Sequence, residues 1–222
     1  MQAIQERIAH AALNSGRPVE SVRLLAVSKT WPAPALRKAY AAGQTAFGES
    51  YLQEALEKIA ALADLPLEWH FIGPIQSNKT RPIAENFAWV HSVDRLKIAE
   101  RLAQARPANL PPLNICLQVN ISGEDSKSGA TPAEVAKLAR ATAALPRLKL
   151  RGLMAIPRPT ENIAEQQAQF RLQRKLFDQL NAEGLGLDTL SMGMSDDLEA
   201  AIMEGATIVR VGSAIFGKRE KI

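Results

Sequence analysis

Lys29 closes the run Leu24-Leu25-Ala26-Val27-Ser28-Lys29-Thr30, in which four apolar residues and a serine lead into a basic side chain. Followed by Trp31-Pro32, such a run reads as a short buried strand, and an ammonium at its end is costly to desolvate unless paired or neutralised. Desolvation lowers a lysine's pKa, and the neutral amine that results can form a Schiff base with a carbonyl. The competing reading is a lysine that extends its charged head into water along an apolar stem. Two later segments also carry chemistry: Leu190-Ser191-Met192-Gly193-Met194-Ser195-Asp196-Asp197 and Arg210-Val211-Gly212-Ser213-Ala214-Ile215-Phe216-Gly217. Each reads as a strand, a glycine turn and a helix start, with free backbone amides beside a serine hydroxyl, which is what a phosphate needs. A plain glycine turn with a serine cap competes for each, and Asp196 and Asp197 favour it, because carboxylates repel a phosphate unless they point away. Arg210 interrupts the apolar Ile208-Val209-Arg210-Val211, so its guanidinium is either paired with a carboxylate such as Glu49 or Asp94 or aimed at a ligand.

The elements that must position these residues alternate along the chain. Ile4, Ile8, Ala11 and Ala12 share a helical face in residues 2–13, and Asn14-Ser15-Gly16 ends that helix. Strands are expected at residues 23–28, 46–49, 67–72, 89–93, 113–121, 150–156, 189–192 and 207–211. Helices are expected from Pro32 to Gly43, over 50–63, over 95–105 with Asp94 as cap, after Thr131-Pro132-Ala133-Glu134, over 161–183, from a Ser195 cap to Glu204, and as a short turn at 214–218. Eight strands alternating with eight helical segments call for a parallel sheet, and eight repeats close naturally into a barrel. An open doubly wound sheet would want a glycine-rich phosphate loop after strand one, where Ser28-Lys29-Thr30-Trp31 has no glycine. No linker or composition shift divides residues 1–222, so a single (β/α)8 TIM-barrel domain with an extra N-terminal helix is expected.

In such a barrel the working residues sit where the strands end. Those ends hold Lys29, Glu49, Ser50, His70, Asn78, Asn120, Met154, Ser191, Ser195, Arg210 and Ser213. The two serine-glycine turns follow strands seven and eight, the usual phosphate position in this fold, with a short extra helix after strand eight. A lysine, a phosphate cup and an arginine together suit a ligand with a carbonyl, a phosphate and a polar ring, and pyridoxal 5′-phosphate (PLP) has all three. His70, alone in Glu68-Trp69-His70-Phe71-Ile72, reads as hydrogen-bonded structure, and the 3 histidines lack metal-ligand spacing.

Composition excludes several other classes. Hydrophobic residues make up 46% and charged residues 23%, enough apolar material for a sizeable core. The net charge of +4 is scattered apart from Lys218-Arg219-Glu220-Lys221, and few aromatics are present to stack on bases, so no nucleic acid is expected as a partner. The single cysteine, Cys116, lies in an apolar run and forms no internal disulfide, which fits a reducing compartment. Glu6, Arg7 and His10 break the apolar character of the first residues, and no uncharged apolar run is long enough to span a bilayer. A soluble cytoplasmic protein is the expectation.

Nine runs, in order along the chain, resemble the YggS/PROSC-type pyridoxal phosphate homeostasis proteins. They are Ala26-Val27-Ser28-Lys29-Thr30, Phe47-Gly48-Glu49, Trp69-His70-Phe71-Ile72-Gly73, Gln76-Ser77-Asn78-Lys79, Val119-Asn120-Ile121-Ser122, Lys127-Ser128-Gly129, Gly152-Leu153-Met154-Ala155-Ile156-Pro157, Leu190 to Asp197 and Val209 to Gly217. The resemblance implies a fold like the N-terminal barrel of alanine racemase, with PLP held as an internal aldimine on Lys29 and Arg210 opposite the pyridine nitrogen. It implies that the turns around Ser191, Gly193 and Ser195 and at Gly212 and Ser213 grip the phosphate, with Ser50, Asn120 and Met154 also against the cofactor. The family usually reads Phe-Gly-Glu-Asn-Tyr where this chain has Ser50, a shorter side chain beside the ring.

Its implied role is to bind and buffer the cofactor as a monomer and make it available to PLP-dependent apo-enzymes, with no established turnover. A PLP-dependent racemase is the alternative. Two-sided racemisation needs a second acid/base facing Lys29, which alanine racemase takes from a tyrosine of a further β domain and a partner subunit. No stretch here reads as such a domain, and Tyr40 and Tyr51 fall in or at the start of outer helices. A cofactor-free Schiff-base enzyme acting on a phosphorylated sugar or keto acid is the third reading.

Overall fold

A computed structural model describes residues 1–124 and 128–217. Eight parallel strands close into one barrel in sequence order: β1 (Arg23–Val27), β2 (Ala46–Glu49), β3 (Glu68–Phe71), β4 (Trp89–Val93), β5 (Leu113–Gln118), β6 (Leu148–Met154), β7 (Thr189–Ser191) and β8 (Ile208–Val211). Closure is made by β1 against β8, with Leu25 opposite Arg210 and Ala26 opposite Val211. The (β/α)8 barrel with its extra N-terminal helix is therefore present as expected. The Lys218-Arg219-Glu220-Lys221 cluster, Lys127 and the end of the last helical turn lie outside the described residues.

Strand alternation sends one set of side chains outward to the helices and the other into the barrel. Outward residues such as Phe47, Phe71, Val90, Ile115, Leu153 and Val209 join the large core beneath the helices. The helices meet it with single apolar stripes; α5 (Leu96–Ala105) buries Ile98, Ala99, Leu102 and Ala103. Inside, a smaller cluster of Leu25, Ala46, Trp89, Cys116, Met154 and Ile208 fills the barrel. Gly152 on β6 has no room for a side chain, since a Cβ there would lie 1.7 Å from the carbonyl oxygen of Thr189 on β7.

The remaining helices are α1 (Gln2–Asn14), α2 (Ala33–Ala41), α3 (Leu52–Ala61), α4 (Thr80–Asn86), α6 (Val135–Ala143), α7 (Ile163–Ala182), α8 (Leu198–Met203) and α9 (Ser213–Phe216). Three details differ from the sequence reading. Helix α4, preceded by a 3-10 turn over Ser77–Lys79, fills the β3–β4 connection, where the sequence reading expects no helix. Asp94 does not cap α5; it pairs with the guanidinium of Arg95, and Arg95 itself stands at the cap position. Ser195 does not cap α8 either: Asp197 stands at the cap position without a side-chain bond into the helix, and its carboxylate turns back to accept from Met194 N at 2.6 Å. The reach-back expected before α6 is present: Glu134 accepts from both the amide and the hydroxyl of Thr131.

Helix α1 is more than an appendage. Arg7 binds Glu199 on α8 and donates to the Ser195 carbonyl at 3.0 Å, while Arg17 donates to the Ile202 carbonyl. It therefore braces from outside the segment that connects β7 to α8.

Candidate functional site

At the carboxyl end of the barrel a cavity of about 460 Å³ is lined by Val27, Lys29, Ser50, Ile72, Ile156, Met194, Ser195, Asp196, Arg210, Gly212 and Ser213. Larger and comparable hollows exist elsewhere on the surface, but this one gathers the ends of β1, β2, β3, β6, β7 and β8, where barrel chemistry collects. Of the sequence-selected residues it brings together Lys29, Ser50, Ser195, Arg210, Gly212 and Ser213.

The lysine end is fixed from below. Thr30, next to Lys29, has φ of 71°, a left-handed conformation unfavourable for a β-branched residue, and its amide is held by Glu54 Oε1 at 2.6 Å. Ser28 Oγ donates to Glu49 Oε1 at 2.5 Å, and buried Lys58 of α3 donates to the same oxygen and to the Ser28 carbonyl, both at 2.8 Å. Lys58 also contacts Glu54. Burial pushes the Glu49 carboxyl pKa up, against the hydrogen bonds from Lys58 and Ser28 that lower it. Trp31 stacks on Phe216 of α9 with ring centroids 5.7 Å apart, which ties the end of β1 to the segment after β8.

Across the cavity, Ser213 Oγ donates to Ser195 Oγ at 3.1 Å, so the turns after β7 and β8 present two adjacent hydroxyls. Asp196 is exposed at the rim, and Asp197 is turned away into the β7–α8 turn. Gly212 lies against β1, and a Cβ there would come within 3.2 Å of the Val27 carbonyl oxygen. Gly193 has φ of 94°, and a Cβ would meet Ala201 at 2.6 Å; it shapes the turn from behind without lining the cavity.

Besides Gly193, three residues selected as cofactor ligands sit outside the cavity. Met154 is packed inside the barrel with Leu25 and Cys116. Asn120 uses its side chain in the turn after β5, donating to the Glu124 carbonyl and accepting from the Gly123 amide. Ser191 is fully buried beneath Arg210, whose NH1 donates to its hydroxyl at 2.8 Å. Arg210 NH2 donates to the Ala155 carbonyl at 2.9 Å. Neither Glu49 nor Asp94 pairs with it. Burial lowers its pKa to about 10, with Asp197 opposing that fall, so it remains a cation at neutral pH.

Sequence reasoning passed over His91. Its Nδ1 lies 2.8 Å from Ser191 Oγ and its Nε2 2.8 Å from His70 Nδ1, while His70 Nε2 lies 2.6 Å from Glu68 Oε1. His70 is hydrogen-bonded structure, as expected, stacked on Trp89 with centroids 5.4 Å apart. The available signal was positional: His70, His91, Ser191 and Arg210 are polar residues on β3, β4, β7 and β8 at positions that alternate with the outward apolar core. Burial pushes both histidine pKa values down, His91 further because His70 and Arg210 add like charge. A histidine kept neutral in the fold but free to take a proton when unfolded makes the unfolded chain bind more protons in acid. Stability should therefore fall as pH drops below about 6.5, each histidine adding a slope that approaches about 1.4 kcal/mol per pH unit. Urea unfolding between about pH 7 and pH 5 checks this; His91→Gln should flatten the profile, and an unchanged slope would contradict the assignment.

Among the described residues no helix is long and apolar enough to cross a membrane, and no cluster of three or more metal-ligating side chains is present. Cys116 is a buried free thiol whose pKa burial raises to about 12.

Residues 1–220 match the family described as alanine racemase, N-terminal domain. The pyridoxal phosphate homeostasis protein of Pseudomonas aeruginosa is 66% identical over 217 residues, covering 98% of this chain and 93% of that one. The protein of the same name from Escherichia coli K12 is 53% identical, covering 98% and 94%. Among solved structures, PipY of Synechococcus elongatus with PLP bound superimposes with a TM-score of 0.84 at 44% identity, covering 96% of this chain and 100% of that one. Full-length coverage at such identity, together with the closed barrel and the lysine–arginine cavity at its carboxyl end, places this chain in the pyridoxal phosphate homeostasis protein family.

Proposed function

We propose that this protein binds PLP covalently on Lys29, as an internal aldimine, and acts in vitamin B6 homeostasis by sequestering the cofactor and delivering it to PLP-dependent apo-enzymes. The observation that carries the reading is the convergence of Lys29, Arg210 and the Ser195–Ser213 hydroxyl pair on one cavity of about 460 Å³. That volume is in the range of small-molecule sites, and the donor set fits the cofactor part by part. The Lys29 amine serves the aldehyde carbon, with loss of water, and Arg210 faces the ring nitrogen. Ser195, Ser213 and the backbone at Gly212 serve the phosphate, with Ser50 on the wall beside Lys29. PLP bound to a protein of 44% identity and the same fold supports the reading, as do relatives named for PLP homeostasis. Bound PLP supplies an electrophilic aldehyde and an electron-withdrawing ring.

The chain's own residues restrain that chemistry. A guanidinium donates only, so Arg210 leaves the ring nitrogen unprotonated and the ring a weaker electron sink. Neither Tyr40 nor Tyr51 lines the cavity, so no tyrosine supplies the second acid/base of a racemase. The rim residues Ile156, Asp196 and Ser213 are exposed, which leaves the ligand reachable for handover from a monomeric cytoplasmic carrier.

The test is the visible spectrum of the purified protein incubated with PLP, before and after borohydride reduction, with the adduct mapped by mass spectrometry. A yellow protein with one reducible adduct at Lys29 is expected. A protein that takes up no cofactor would sink the proposal, and inversion of a single amino-acid enantiomer would replace the carrier with a racemase.

A further inference from the structure

Arg210 is a fully buried cation that no carboxylate touches; its guanidinium donates to Ser191 Oγ and to the Ala155 carbonyl. Burying a charge without a contacting partner is expensive; Asp197 acts on it through space, and a hydrogen-bonded chain leads away from it through the barrel. That chain is continuous. Ser191 Oγ meets His91 Nδ1 at 2.8 Å, His91 Nε2 meets His70 Nδ1 at 2.8 Å, and His70 Nε2 meets Glu68 Oε1 at 2.6 Å. Glu68 in turn pairs with Arg23 at 2.7 Å.

The two ends dictate where every proton lies. Arg210 can only donate, so Ser191 Oγ accepts from it and keeps its single proton for His91 Nδ1. Glu68, paired with Arg23, is an acceptor only, so His70 Nε2 carries a proton. Both imidazoles are neutral in this buried setting and carry one N–H each. His70 therefore accepts at Nδ1 and His91 donates from Nε2, which leaves no N–H facing another N–H and no lone pair facing a lone pair. All four donors point the same way, from Arg210 towards Glu68. Aligned hydrogen bonds of this kind polarise one another in a low-dielectric interior.

We propose that Ser191, His91 and His70 form a positioning relay that runs from Arg210 to the acceptor Glu68 and fixes which guanidinium N–H groups remain for the ligand. The relay occupies a barrel interior otherwise filled by Leu25, Ala46, Trp89, Cys116, Met154 and Ile208, and its Arg210 end is the one that lines the cavity of the carboxyl end. A purely structural network would end on any convenient backbone group; this one ends on the side chain that faces the ligand. The inference rests on the PLP reading of that cavity.

Two measurements test it. In the cofactor-free protein, ¹⁵N–¹H correlation of the imidazoles should show the Nε2–H tautomer for both His70 and His91; an Nδ1–H tautomer at either would overturn the relay. In PLP titrations, His91→Leu, which breaks the chain, and Glu68→Gln, which removes the charge at its end, should each weaken apparent affinity roughly tenfold and shift the visible band. His91→Gln, which keeps one donor and one acceptor, should stay close to wild type. Wild-type affinity and spectrum in both His91→Leu and Glu68→Gln would overturn the proposal, and Glu68→Gln, at the half-buried end, decides if His91→Leu does not fold. Failure of the wild-type protein itself to take up PLP would overturn the cofactor reading instead, and the tautomers would still decide the relay.

Discussion

Lys29→Ala should abolish borohydride-fixable retention of PLP while leaving the barrel folded. The cofactor's aldehyde would lose its covalent partner, and what remains, Arg210 with the Ser195 and Ser213 hydroxyls, binds only non-covalently. After gel filtration the variant should emerge without visible absorbance, whereas wild type keeps its band. The Lys29 side chain is half-buried at the cavity wall and the strained neighbour Thr30 is held independently by Glu54, so the change in stability should stay within about 0.5 kcal/mol. A Lys29→Ala protein that still carries a reducible adduct would place the covalent site on another lysine.

The second large effect is structural and lies one layer beneath. Lys58→Met should cost about 3–5 kcal/mol, the usual consequence of removing one partner from a buried ion pair. Lys58 and Glu49 have side-chain exposures of 6% and 0%, and Glu49 Oε2 has no partner even in the intact protein. Without the ammonium, the Glu49 carboxyl must take a proton to remain inside. Its pKa in the folded variant then rises further above the unfolded value, so the variant loses stability as pH rises, the opposite sign to the histidine effect. Adding Glu49→Gln to Lys58→Met should recover part of the loss. Urea unfolding at two pH values checks both statements; a Lys58→Met protein as stable as wild type would show that the pair carries little of the β1–β2 junction.

The elements legible in the sequence were those with a simple period. Apolar runs such as Leu113 to Val119 mark strands whose residues are buried on both sides, and the lysine at the end of β1 stood out against that background. Helix α4 was not legible because Thr80-Arg81-Pro82-Ile83-Ala84-Glu85-Asn86 is short, carries an internal proline and offers few apolar residues to show a face. The β7–α8 turn was half legible. The serines and glycines were visible, but that Asp197 would stand at the cap position and turn its carboxylate back to the Met194 amide is a matter of backbone path. Ser191 read as a phosphate ligand because it precedes a glycine turn. Its hydroxyl instead lies one strand residue too deep, inside the barrel, where only the closed geometry brings His91 and Arg210 to it from positions 100 and 19 residues away. Contacts of that kind have no local signature.

Pairing of the first strand with the last has a kinetic meaning. Lys29 and Arg210 become neighbours only when β8 closes against β1, a contact between the two ends of the described chain. Loop-closure entropy opposes so long-range a contact, so it should be among the later ones to form. Under the proposed role, cofactor uptake would therefore wait for β8 to pair with β1 and would report a finished barrel. Once formed, the bound state acts as a clasp: ligand at a hundred times its dissociation constant adds about 2.7 kcal/mol against reopening. Under the proposed role, the protein without PLP should have a looser seam and exchange the β1 and β8 amide hydrogens faster than the protein with PLP bound.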